Sequence, residues 1–221
     1  MLTRAIVFEE RVYRGETSPP AMEDVSRYQN NGVITAAIWT QLPSKLWYLY
    51  YDGINDIVNY GNDDSLDIST GHFTLLGWFY PTGNASAFRH IATKRTGAGG
   101  WYTWYIYNDD KLALEWNGAG VYKSAASVSL NVWHFGAVGT RDVAGVRRAM
   151  VTLDEVVAVD GVSNLTAVDM SNNANFQTGY NSTFGNPLMG GIAKLRFFKG
   201  VSLTNAQIYA IYNAERSLFG V

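Results

Sequence analysis

The amino-acid sequence predicts an all-β protein, a sandwich or barrel with one short C-terminal helix, and three features lead there. Short runs rich in aromatic and β-branched residues recur along most of the 221 residues. Between them stand turn-forming clusters, Asn108-Asp109-Asp110, Asn117-Gly118, Asp160-Gly161 and Gly190-Gly191, whose small or polar side chains suit tight turns. No amphipathic helix of about ten residues separates consecutive runs, which argues against βαβ units.

In chain order, residues 1 to about 22 read as an irregular arm, and Thr17-Ser18-Pro19-Pro20 suits a segment that docks on a neighbour. A soft change near Pro43 is not a domain boundary, because Trp39, Leu46, Trp47 and Leu49 look like core-filling residues; one domain is expected over 1–221. FTLLGWFY (73–80) is apolar on both alternating faces and predicts a central strand covered on each side. Further strands are expected at WYTWYIY (101–107), KLALEW (111–116), VWHFGAV (132–138), RRAMVTL (147–153), EVVAV (155–159) and IAKLRFF (192–198). The segment 171–191 carries no Lys, Arg, Asp or Glu and reads as loop, with room for one strand at FQTGY. Thr204-Asn205-Ala206-Gln207 fits a capping box, and Ile208, Ile211 and Tyr212 follow at helical spacing.

Composition narrows the function. Hydrophobic residues make up 47% and charged residues 16%, enough for a large core and inconsistent with disorder. A net charge of −2 without a basic run gives no grip on a polyanion, so nucleic acid is not an expected partner. The absence of cysteine removes disulfides, thiolate nucleophiles and Cys-ligated zinc. The start, MLTRAIVFEERVYRG, is too brief and too charged for a signal-peptide core. No run of about 18 apolar residues predicts membrane insertion. The sequons at Asn84, Asn164 and Asn181 are read as coincidental in such a chain.

Catalytic motifs are sparse. His72, His90 and His134 lie beside or within apolar strands, with no G-x-S-x-G elbow, and read as packing or hydrogen-bonded side chains. Thr96-Gly97-Ala98-Gly99-Gly100 lacks the trailing Lys-Ser/Thr of a phosphate-binding loop and reads as a hairpin connection. The most suggestive feature is WYTWYIY. In a strand Trp101, Thr103, Tyr105 and Tyr107 share one face, and Tyr102, Trp104 and Ile106 share the other. One face must pack the core. If the other is open, Trp101, Tyr105 and Tyr107 with Trp116, Asn117 and Tyr122 form a candidate ligand-binding set, whose rings stack on sugars and whose polar tips bond hydroxyls. The competing reading is that these rings fill the core or meet another protein.

The stretches Asp24–Gly32, Tyr51–Val58 and Ser65–Ile68 leading to Phe73–Trp78, then Asn131–Phe135, Gly191–Phe198 and Leu203–Ile208, follow one another in a telling order. Together they resemble the laminin-G-like, concanavalin A-like lectin-glucanase jelly-roll domain family over about residues 5 to 215. The resemblance implies two curved antiparallel sheets packed face to face. Members bind glycans, bind proteins, decorate enzymes as accessory modules or sit on virus and cell surfaces.

In that frame the acidic stretch Tyr51–Ile68 mainly turns corners. Many members also hold calcium with a carboxylate of the closing strand, but Ala193 and Lys194 stand at the two acidic positions here. Asp24, Asp52 and Asp56 are the remaining candidates for a structural calcium. Glycoside hydrolases of this fold carry Glu-x-Asp-x-x-Glu, which is absent, so no enzyme is expected. Two functions follow: a lectin-like module for a glycan on a cell or virus surface, or a structural virion decoration or fibre protein docking on a partner structural protein. A homo-oligomer is compatible with both.

Overall fold

The structure is a computed structural model describing residues 5–15, 17–84, 86–97, 100–116, 120–154, 159–161 and 163–221. Its strands are β1 (Ile6–Glu9), β2 (Val33–Thr35), β3 (Ile38–Gln41), β4 (Trp47–Asp52), β5 (Ile57–Asn59), β6 (Phe73–Gly83), β7 (Arg89–Lys94) and β8 (Tyr102–Ile106). They continue with β9 (Lys111–Trp116), β10 (Val121–Ser127), β11 (His134–Val143), β12 (Val146–Leu153), β13 (Val159–Asp160), β14 (Phe176–Thr178) and β15 (Met189–Lys199), and the chain closes with helix α1 (Asn205–Phe219). One sheet runs β13-β12-β11-β6-β15-β4-β3 with β1 paired to β15; the other runs β10-β9-β8-β7-β14-β5-β2. The fold is a two-sheet antiparallel sandwich with a C-terminal helix, as expected.

Alternation along β6 explains why its sequence is apolar throughout. Phe73, Leu75 and Phe79 fill the core between the sheets, while Leu76 and Trp78 point the other way, into a second core under α1. Trp78 stacks on Phe219 at 4.1 Å and on Tyr212 at 5.7 Å, and its Nε1 donates to Glu215 at 2.8 Å. The helix starts with the expected capping box of Thr204 and Gln207 and ends at Gly220 with φ 74°. Its buried face is Ile208, Tyr212, Glu215 and Phe219, one side chain per turn. At 15 residues it is longer than the expected short helix.

Several expectations change. Gly190-Gly191 is not a turn: both lie in β15, where the register shifts between Met189 and Gly190. Gly190 has φ +146°, and a Cβ there would come within 1.9 Å of the Tyr80 carbonyl oxygen. The N-terminal segment is not irregular throughout, because Ile6–Glu9 pairs with β15. Of EVVAV, only Val159 is among the described residues, at the start of β13.

Candidate functional site

The alternation read from WYTWYIY holds: Tyr102, Trp104 and Ile106 enter the core, which sends Thr103 and Tyr105 to the outward face of their sheet. Register brings neighbours to that face. Tyr105 stands opposite His90 of β7 and Ala113 of β9; Thr103 stands opposite Thr93 and Glu115; Val121 of β10 stands opposite Glu115. Phe88, just before β7, packs edge-on against Tyr105 and Tyr107.

The asparagine-rich loop after β14 folds across the same face. Gly179 opens it at φ +80°, where a Cβ would come within 2.1 Å of the Tyr51 ring. Asn181, 1% exposed, accepts the Thr183 and Phe184 N–H groups on its Oδ1 and reaches Thr93 Oγ1 with Nδ2. The Asn181 sequon is thus an internal staple. The Gly185 carbonyl accepts from His90 Nδ1 at 3.1 Å, and the Asn186 carbonyl from the His90 N–H. Sheet face and loop border a pocket of ≈ 270 Å³ lined by Phe88, Tyr105, Tyr107, Arg95, Glu115 and Phe184, with His90, Val121 and Asn186 completing the wall.

Its polar groups are tightly arranged. The Arg95 guanidinium lies 3.8 Å from the Trp101 ring centre and 4.4 Å from that of Phe184, held between two aromatic faces. It reaches Glu115 at 3.7 Å, and its Nε is buried without a hydrogen-bond partner among the described residues. Tyr105 donates to Glu115 Oε2 at 2.8 Å. Burial, then the Glu115 charge, pushes the Tyr105 phenol up, so Tyr105 stays a donor. Burial pushes the His90 imidazole down to about 4, so it is neutral at ordinary pH. With Nδ1–H donated to a carbonyl, its Nε2 carries a lone pair. Glu115 is the one carboxylate among the described lining residues, whereas glycoside hydrolysis uses two flanking the bond.

Of the six residues expected to bind ligand, Tyr105 and Tyr107 line this pocket. Trp101, 7% exposed, backs Arg95. Trp116 and Tyr122 are corrected: Trp116 is fully buried in the core, and Tyr122 packs against that core, stacked on Trp116 at 4.7 Å. The reason is alternation, since Leu112, Leu114 and Trp116 form one stripe of β9 and Glu115 faces the other way. Asn117 lies outside the described residues. Sequence reasoning missed Phe88, Arg95, Glu115 and Phe184, and it read His90 as a packing or hydrogen-bonded side chain, a description that its bond to the Gly185 carbonyl fits. Only Glu115 had a legible signal, as a polar residue between the apolar positions of KLALEW.

The calcium candidates are also corrected. Asp24 Oδ1 accepts the Glu9 and Ser26 N–H groups, and its Oδ2 accepts the Ser26 hydroxyl and the Asn30 N–H, so four donors occupy the carboxylate. Asp56 caps the Asp52 N–H and Asp52 caps the Ile54 N–H, which is turn chemistry. Among the described residues no three metal-ligating side chains converge. At the closing strand Ala193 is buried in the second core, and Lys194 places its ammonium 2.7 Å from Glu215. Side chains that present apolar surface and a cation do not fit a calcium ion there.

Comparison with known proteins adds the lineage. The structure resembles the binding domain of Paraclostridial Mosquitocidal Protein 1, with TM-score 0.72 and 13% identity over 97% of this chain and 53% of that one. It resembles domain 4 of AbnA, a GH43 extracellular arabinanase from Geobacillus stearothermophilus solved in complex with arabinotriose, with TM-score 0.68 and 16% identity over 94% and 98%. It also resembles a sialidase of Trypanosoma rangeli, with TM-score 0.68 and 12% identity over 97% and 33%. The chain therefore spans about half of the mosquitocidal domain and a third of the sialidase. At these identities the likeness is one of fold. A search of curated proteins found no match. The model of the concanavalin A-like lectin/glucanases superfamily matches residues 52–209, which include strands of both sheets and the residues that line the pocket, and the chain belongs to that superfamily.

Proposed function

We propose that this chain is a non-catalytic carbohydrate-binding module and that its ligand enters the pocket on the outward face of the β10–β2 sheet. The observation that carries this reading is the pairing of aromatic walls, Phe88, Tyr107 and Phe184, with polar groups at fixed positions, Arg95, Glu115 and neutral His90. Sugars present apolar C–H faces bordered by hydroxyls, and such a surface meets both. The single lining carboxylate supports binding over hydrolysis. The fold neighbours support the same reading: one is a module of an arabinanase captured with arabinotriose, another a toxin's binding domain.

A second reading, a structural component docking on a larger assembly, is favoured by Val33 and Ile38, which are 68% and 60% exposed on the edge strands β2 and β3. A glycan array with calcium and with EDTA, beside the solution mass, separates the two. The carbohydrate reading expects selective sugar binding that EDTA leaves in place. A blank array with a defined oligomer would support the docking role instead.

A further inference from the structure

We propose that the pocket selects electrically neutral sugars, gripped through neighbouring hydroxyls between Arg95 and Glu115, and discriminates against sugars that carry a carboxylate. This inference rests on the carbohydrate reading above and names the class of ligand. Its starting point is charge balance. The single cation and the single carboxylate among the described lining residues face each other at 3.7 Å, and His90 is neutral. Charges near Tyr107 are paired as well: Lys123, whose ammonium lies 3.5 Å from the Tyr107 ring centre, pairs with Asp109 at 2.9 Å.

Hydrogen-bond capacity points the same way. Glu115 uses Oε2 for the Tyr105 hydroxyl, and an ionised carboxylate has further acceptor sites. Arg95 offers only donors, and the Trp101 and Phe184 faces fix its plane. A hydroxyl both donates and accepts, so two adjacent hydroxyls satisfy the acceptor Glu115 and the donor Arg95 together. A sugar carboxylate accepts only. It would answer Arg95 but set a second negative charge beside Glu115, in a partly desolvated site where screening is weak. Glu115 is thereby a specificity-determining residue. The pocket volume, ≈ 270 Å³, lies just below the range of about 300–1,000 Å³ for drug-sized ligands and suits one sugar unit.

The test is calorimetric titration of the full chain with matched probes: arabinotriose and lactose as neutral ligands, trigalacturonic acid and 3′-sialyllactose as acidic ones. Neutral probes are expected to bind at least about tenfold more tightly than acidic ones, with little change between low and high salt. Glu115→Gln keeps an acceptor for Tyr105 and is expected to narrow that gap by weakening the neutral probes or admitting the acidic ones. Phe184→Ala, at an exposed loop position, is expected to weaken the neutral probes without touching the core. Equal or tighter binding of the acidic probes by the unaltered chain would overturn the selectivity while leaving the carbohydrate reading intact. Silence towards all four, together with a blank array, would overturn both.

Discussion

Glu115 and Trp116 are neighbours in sequence and sit on opposite sides of a sheet. That difference was available from KLALEW, where Leu112, Leu114 and Trp116 recur with the strand period and Glu115 falls between them, on the alternate face. An aromatic side chain draws attention as a sugar platform, yet burial competes for the same rings, and the period decides between them. Replacing Trp116 with alanine removes a fully buried indole stacked on Tyr122, at a cost of about 3–5 kcal/mol. The melting temperature is expected to fall by about 10 °C. Tyr107 is only half-buried, so Tyr107→Ala is expected to leave the melting temperature within about 2 °C and weaken sugar binding about tenfold. Thermal melts and titrations on both variants check the pair; a stable Trp116→Ala protein that loses binding would return Trp116 to the site. Arg95 and Phe184 had no comparable signal, because their meeting with Trp101 joins the two ends of the β7–β8 connection to a loop some 80 to 90 residues further along the chain.

Elements were legible where their period was long enough. Strand β6 shows two buried faces in its sequence because it has sheet on one side and helix on the other. Strands β2, β5 and β14 are three residues each, too short for alternation to register. Strand β7 hides because it buries Arg89 and Lys94, at 2% and 0% exposure, each held by partners distant in sequence: Asp110 for the first, Asp67 and the Asn172 carbonyl for the second. The length of α1 was obscured by a charge on its buried face. Glu215 accepts from Trp78, Lys194 and Arg196; burial works to raise its carboxyl, but Arg196 and Lys194 outweigh burial and hold it below the ordinary range. Glu215→Ala leaves the Lys194 ammonium and the Trp78 indole N–H without this acceptor and Arg196 with Glu9 alone, and a loss of about 3–5 kcal/mol is expected. Urea unfolding checks the magnitude. Because the pocket lies on the other sheet, sugar affinity should stay within about twofold; a large change would show that the helix side and the pocket are coupled.

At the scale of the whole molecule, the two sheets are also joined through one buried acid. Glu10, 3% exposed, accepts from the Tyr60 hydroxyl at 2.9 Å on the side of the β10–β2 sheet and from the Leu195 N–H of β15 at 3.1 Å. Burial pushes its carboxyl up from 4.5 to about 7, against smaller opposing contributions from the Leu195 amide, Tyr60 and Arg196. A raised folded value means that folding takes up a proton between those two limits. Below pH 4.5 both folded and unfolded chains hold the proton, and the contribution to stability is fully present. As pH rises towards 7 the unfolded chain ionises first, and stability falls, by an amount on the order of a few kcal/mol. Glu215 has the opposite sign: its contribution is lost as pH falls through its depressed folded value, so the two acids act in separate windows. His90, pushed down from 6.5 to about 4 by burial, carries the opposite sign to Glu10 and adds stability as pH rises between those values. The Glu10 contribution is therefore read as a difference: in urea unfolding from pH 4.5 to 8 the wild type is expected to lose stability relative to Glu10→Gln as pH rises towards 7. The amide keeps an acceptor for Tyr60 and cannot ionise, so a difference between wild type and variant that does not change with pH would place the titrating group elsewhere. A wild type that gains stability relative to Glu10→Gln as pH rises through the window would show that Glu10 is ionised in the folded sandwich, with Arg196 and the Leu195 amide stabilising the charge more strongly than burial opposes it.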